Sequence, residues 1–287
     1  MRQLLILSGK GGTGKTTIAS AFIHLLSAKV FADCDVDAPN LHLAVSMDIA
    51  PSQSDFYGLP KFSIDAEVCV KCDLCRQFCR FGAISNESNY LIDPFSCEGC
   101  GLCAAICPVK AITEIPTVSG DLLMYREPDR LFSTARLRMG NGNSGLLVTE
   151  VKKQMIKNQP VADLAIIDGS PGIGCPVIAS ISGVDMVLLV TEPSLSGFSD
   201  LKRIIQTVAH FHTSMAVCIN KYDIDIQLSD NIQAYCVHNH IDFVGMIPFD
   251  SEVIRTINAN QPLMDSNSTA AQAIETVFNN TIKLMDI

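Results

Sequence analysis

Two cysteine runs constrain this chain more than any other feature. CVKCDLCRQFCRFGAI (residues 69–84) and CEGCGLCAAICPVKAI (97–112) share the spacing C-x₂-C-x₂-C-x₃-C at an offset of 28 residues. Eight of the twelve cysteines fall between Cys69 and Cys107; the others are Cys34, Cys175, Cys218 and Cys236. Residues 3–7 are apolar, but SGKGGTGK follows at once without a cleavage-site pattern, so no signal peptide and a cytoplasmic location are expected. In that compartment so many cysteines argue for metal ligation over disulfides. The x₂ spacings let three thiolates wrap one group, whereas four-cysteine zinc sites usually come as two C-x₂-C pairs.

The flanks read differently. QLLIL (3–7), LAIID (164–168), MVLLV (186–190), MAVCI (215–219) and FVGMI (243–247) are apolar runs of strand length, separated by stretches long enough for helices. Continuous apolar strands are buried on both faces, and their alternation with helices implies a mostly parallel sheet flanked by helices. The expected organisation is an α/β domain interrupted once, with residues 1–60 and 116–287 forming one domain around an insert at 61–115 bracketed by Pro60 and Pro116. GNGNSG (140–145) reads as a turn before a helix, while the stretch preceding it carries no clear signal. With 48% apolar and 18% charged residues the chain can bury a sizeable core. Its net charge of −9, with no Lys/Arg-rich run, speaks against nucleic acid or an anionic membrane as partner. No window approaches the apolar length of a membrane span.

GKGGTGKT (Gly9–Thr16) follows the first apolar run and precedes a helical stretch, the context that G-x-x-x-x-G-K-[ST] requires. Gly9, Gly11, Gly12, Thr13 and Gly14 let backbone N–H groups converge on phosphate oxygens, the helix N-terminus adds its positive end, and Lys15 adds a charge. Thr16 is placed to put its hydroxyl on Mg²⁺, and Thr17 lies near the first phosphate. FADCDVDAPN (31–40) sets aspartates at alternate positions after a short strand, and LAIIDGSPGIGCP ends a buried strand in Asp168.

A second lysine, Lys10, heads the loop. KGGTGKT resembles the deviant P-loop of the MinD/ParA family, relatives of the nitrogenase iron protein. That resemblance implies a P-loop NTPase fold and a dimer around two ATP molecules, formed with an identical or a similar ATPase chain. It implies that Lys10 reaches the partner's nucleotide, supplying transition-state charge as an arginine finger does. By the same resemblance Asp35 positions the attacking water, Asp33 and Asp168 sit near Mg²⁺, Asn220 of INKYD contacts adenine, and the IPFD stretch with Pro248 closes over the base. TEPSLSGFSDLKRII (191–205) extends the resemblance along the chain.

The insert resembles a bacterial two-cluster ferredoxin, in which the fourth cysteine of each run ligates the other cluster. This implies one [4Fe–4S] cluster on Cys69, Cys72, Cys75 and Cys107, and a second on Cys97, Cys100, Cys103 and Cys79. Pro108 follows Cys107 as that pattern expects, but Arg80 stands after Cys79 where proline is usual. Cys175 lies seven residues after Asp168, the offset of a cluster-ligating cysteine in the nitrogenase iron protein. GNGNSG lacks the second cysteine such a shared cluster uses, so Cys175 is expected to be a small buried thiol, like Cys34, Cys218 and Cys236.

The combination resembles the MinD-superfamily ATPases with an inserted ferredoxin domain. It implies an ATPase whose nucleotide cycle alters electron transfer through the clusters to a redox or assembly partner. A cluster carrier or scaffold, and an ATP-gated positional module with structural or sensory clusters, are the alternatives.

Overall fold

All five apolar runs become strands in the computed structural model, buried except that Met215, Phe243, Gly245 and Met246 are half-buried; the structure describes residues 1–259 and 261–286. In chain order the first elements are β1 (Arg2–Leu7), α1 (Lys15–Leu26), β2 (Val30–Asp33), α2 (Leu41–Ala44), β3 (Ser52–Tyr57) and β4 (Lys61–Ile64). The cysteine segment contributes α3 (Leu74–Gln77), β5 (Ile84–Ser85), β6 (Leu91–Ile92), α4 (Leu102–Ala105) and β7 (Ile112–Ile115). Next come β8 (Val118–Arg126), β9 (Leu131–Leu137), α5 (Ser144–Asn158), β10 (Leu164–Asp168) and α6 (Cys175–Ile181). β11 (Met186–Thr191), α7 (Leu195–Ala209), β12 (Ser214–Asn220), α8 (Ile226–His238), β13 (Asp242–Ile247), α9 (Ser251–Asn258) and α10 (Thr269–Leu284) follow. The stretch without a clear sequence signal is thus mostly the strands β8 and β9.

The large sheet runs β13-β12-β11-β1-β10-β2-β9-β8-β3. Its six pairings from β13 across to β9 are all parallel. β1, β10, β11 and β12 read as apolar runs because both faces are covered. Leu4, Ile6, Ile166 and Leu188 pack with Ile18 and Phe22 of α1 and with Ile274 and Val277 of α10. The alternate residues Leu5, Leu7, Ile167 and Leu189 point to the opposite face and are equally buried. No helix among the described residues is long and apolar enough to cross a membrane.

The chain divides into two compact units: residues 1–53, 122–136 and 144–287, and residues 54–121 with 137–143. The second unit is therefore wider than the stretch 61–115, and it includes the turn region before α5.

The 28-residue repeat is written into the backbone of the second unit. Asp65 N–H donates to Ala111 O and Asp93 N–H to Ala83 O, each at 2.8 Å. Cys69 N–H donates to Asp65 O and Cys97 N–H to Asp93 O, each at 3.0 Å. Positive φ recurs at Lys71 and Gly99, at Asp73 and Gly101, and at Gly82 and Lys110. The strands cross between halves: β4 pairs antiparallel with β7, and β5 with β6. The strand entering the first run thus pairs with the one leaving the second, and the strand leaving the first pairs with the one entering the second. This interlock carries Cys79 and Cys107 into the opposite half.

Candidate phosphate site and cysteine cavities

The chemistry-bearing residues of the first unit lie at the carboxyl ends of parallel strands, where open α/β sheets bind ligands. Register aligns them in a row: Ile6 beside Asp168, Asp168 beside Asp33, and Leu7 beside Leu189. β1 runs directly into the loop Gly9–Gly14, and α1 begins at Lys15. Gly14 caps α1 at φ 89°, and a β-carbon there would collide with the Asn220 side-chain amide, so both the backbone and the space demand glycine. At Gly9 a β-carbon would come within 2.7 Å of Asp200 Cβ on α7.

Lys15 is buried and ion-pairs with Asp168, which also accepts the Thr16 hydroxyl at 2.7 Å. Thr13 is buried with its hydroxyl unpartnered, so the loop holds an unused polar group. Thr17, next in α1, is half-buried. Asp33 and Asp168 are both fully buried. Asp33 accepts N–H groups from Asp35 at 2.9 Å and from Asn40 and Leu41 at 3.0 Å each, so it shapes the segment leading into α2. Burial and the Asp168 carboxylate push Asp33 up to about 7. Burial also raises Asp35, against the attraction of Lys15. Two buried carboxylates with a hydroxyl beside them make an oxygen-donor set suited to Mg²⁺.

Lys10 does not touch this cluster. Its ammonium pairs with Glu192 at 2.6 Å and lies 3.3 Å from the hydroxyls of both Ser194 and Ser196. Glu192 also faces Lys221 at 3.6 Å. Burial opposes ionisation of Glu192, but hydrogen bonding and charge from Lys10, with Lys221 behind it, hold its pKa below the usual range. Lys221 in turn donates to Gly12 O at 3.1 Å, and Asn220 donates to Thr13 O at 2.8 Å. Asn220 and Lys221 therefore brace the phosphate loop from β12. Pro248 follows β13, and beside it Phe249 N–H donates to Asp223 at 2.7 Å, joining the two loops expected around a base. Neither Glu192 nor Lys221 was singled out in the sequence, because neither belongs to the loop motif.

The eight clustered cysteines sort into two cavities. Cys69, Cys72, Cys75 and Cys107 line one, with Ile64, Tyr90 and Ile112 among its walls. Cys79, Cys97, Cys100 and Cys103 line another, walled by Phe62, Phe78 and Phe81. Each set combines three cysteines of one run with the fourth of the other. Among the described residues, no group of three or more His, Cys, Asp or Glu side chains closes around a single metal ion; the thiols surround a space rather than a point. At the first cavity Asp73 accepts two bonds from Arg76, at 2.7 and 2.6 Å, and one from Tyr90 at 2.7 Å. Its counterpart Gly101 has no side chain for such a tie.

Of the remaining cysteines, Cys34, Cys218 and Cys236 are buried. Cys175 corrects the expectation of a buried thiol: it is exposed. It opens α6 directly behind Gly174, and what packs beside it is the small Gly145, whose β-carbon would lie 3.2 Å from Cys175 Cβ.

Residues 4–263 match the family model described as the CobQ/CobB/MinD/ParA nucleotide binding domain. The uncharacterized protein MJ0578 of Methanocaldococcus jannaschii is 33% identical over 279 residues, covering 96% of this chain and 95% of that protein. A 54-residue match at 46% identity links 18% of this chain to 63% of the pyruvate synthase subunit PorD of the same organism. Among solved structures, the septum site-determining protein MinD of Pyrococcus horikoshii, complexed with Mg-ADP, aligns at TM-score 0.58 and 17% identity. That alignment covers 99% of this chain and 97% of the other.

Proposed function

The chain belongs to the CobQ/CobB/MinD/ParA nucleotide-binding family, and we propose that it binds and hydrolyses MgATP as a dimer, with a cycle coupled to two [4Fe–4S] clusters that pass electrons to a protein partner. The observation that carries the redox half is the sorting of eight cysteines into two separate four-thiol cavities. Four thiols around a space lined by apolar side chains fit a cluster held by four thiolates, and the crossover of Cys79 and Cys107 follows the two-cluster pattern. The PorD-like stretch supports the same reading. When bound, such clusters supply one-electron chemistry; the chain holds and shields them.

For the nucleotide half, the Mg-ADP complex of the archaeal MinD supports MgATP as substrate. The loop amides from Gly9 to Gly14 and Lys15 take the phosphates, with Lys15 leaving Asp168 as they arrive. Thr16, Asp33 and Asp168 hold Mg²⁺, and Asp35 orients the water that attacks the terminal phosphorus. Asn220 and Pro248 face the base. Lys10 acts on the partner protomer's nucleotide once freed from Glu192. The partner chain is an identical copy or a similar ATPase chain, and a cytoplasmic setting suits the free thiols.

The likeness to MinD favours one second reading, an ATP-gated positional module with structural or sensory clusters. Anaerobic purification followed by iron counting and a turnover assay across protein concentration tests the proposal. Close to eight irons per chain, and specific activity that rises with concentration, are expected. Protein that retains no iron when handled without oxygen would remove the redox half, and concentration-independent turnover would remove the dimer.

A further inference from the structure

Lys152 is a charged residue that nothing in the proposed chemistry uses, yet it is only 6% exposed. Burial lowers its pKa. A buried ammonium is costly, and a methionine of similar length would fill the same space without that penalty. What the charge does here is specific. From the middle of α5 it donates to Ser180 O at 2.7 Å and Ser182 O at 2.6 Å, the carbonyls at the end of α6. Those carbonyls carry the negative end of the helix dipole, where a cation is favoured. At the other end of α6, Gly145 in the first turn of α5 lies against Cys175. The two helices are thus clamped at both ends of α6.

Their positions in the chain give the clamp a use. α6 follows directly from Asp168–Gly174, the segment that carries the proposed Mg²⁺ ligand and leads away from the phosphate site. α5 follows directly from residues 137–143, which belong to the second unit. A shift of residues 169–174 would be passed from α6 through Lys152 to α5, which continues in the chain from residue 143 of the second unit. We propose that Lys152 is a positioning residue that joins α6 to α5, so that nucleotide state is passed to the cysteine-bearing unit. The inference rests on the reading that the nucleotide and the second unit communicate. It names the residue responsible.

Hydrogen exchange of the whole chain, with and without Mg²⁺ and a non-hydrolysable ATP analogue, tests it. In the wild-type protein the nucleotide changes exchange in residues 9–16, in 169–181 and in the second unit. Lys152→Met is expected to keep nucleotide affinity within about threefold, and to keep the changes at 9–16 and 169–181, while the change in the second unit falls roughly fivefold or more. Lys152→Arg, which restores a cation and its donors, is expected to recover most of it, and Lys152→Gln to fall between. The arginine rescue separates this role from simple packing, which methionine would satisfy better. A second-unit response as large in Lys152→Met as in wild type overturns the proposal; should that variant fail to fold, an undiminished response in Lys152→Gln does so. A wild-type protein that responds at 9–16 but nowhere in the second unit would sink the communication reading itself, a different result from the variant data.

Discussion

Cysteine plays opposite parts in the two units. In the first, Cys34, Cys218 and Cys236 are core residues, and burial pushes Cys34 and Cys218 up to about 12 and Cys236 up to about 11. In the second, the buried apolar cluster consists of Phe62, Ala83, Cys97 and Ile112, with further cysteines packed around it. There the thiols line cavities instead of filling them. The sheet of the first unit is held by its own apolar core, so its phosphate site is built before any ligand arrives. Even with Phe56, Ile84 and Ala111 also buried, the unit's apolar core is small, and small domains in that position lean on metals or disulfides. The fold around the nucleotide site is held by burial, whereas the cysteine-bearing unit is proposed to depend on the clusters it would hold.

The largest effect should come from removing that group. Anaerobic iron chelation is expected to open residues 54–121 to protease while nucleotide binding by the first unit survives. A second unit that stays protected without iron would break the comparison. Lys10→Ala should lower turnover by roughly 10³-fold, the scale of a lost transition-state cation, and leave nucleotide binding largely intact. Wild-type turnover in that variant would contradict its role in trans. Lys15→Ala should weaken nucleotide affinity by about 100-fold, since the charge-assisted bonds from its ammonium to phosphate are lost. Calorimetric titration checks this. The smallest effect concerns the thiols themselves. Alkylation of native protein at pH 8 should label exposed Cys175 and spare Cys34 and Cys218, whose raised pKa leaves almost no thiolate and whose burial bars the reagent. Peptide mass mapping reads the result, and labelling of Cys34 at a comparable rate would mean that the first unit opens readily.

Much of this was legible in the sequence because it is local. The five apolar runs announce strands, four of them largely buried on both faces and the last, at the sheet's edge, half-buried at Phe243 and Met246, and GKGGTGKT carries its own context. The repeat offset alone pairs residues 65 with 93 and 83 with 111, which the backbone then bonds crosswise. What stayed hidden is long-range. Glu192 binds Lys10 across 182 residues of chain, Asp200 crowds Gly9, and Lys152 reaches carbonyls 28 and 30 residues away, contacts that no local pattern encodes. β8 and β9 were hidden for another reason. β8 is for the most part only half-buried, so its residues never form the unbroken apolar run that marks β1 or β11.

The central claim is that nucleotide and clusters communicate. The reduction potentials of anaerobically purified protein, measured with and without MgATP, test it most directly. The account predicts a shift of about 60 mV for at least one cluster, which corresponds to roughly 1.4 kcal/mol of coupling between the sites. Unchanged potentials, with nucleotide shown to be bound, would contradict it.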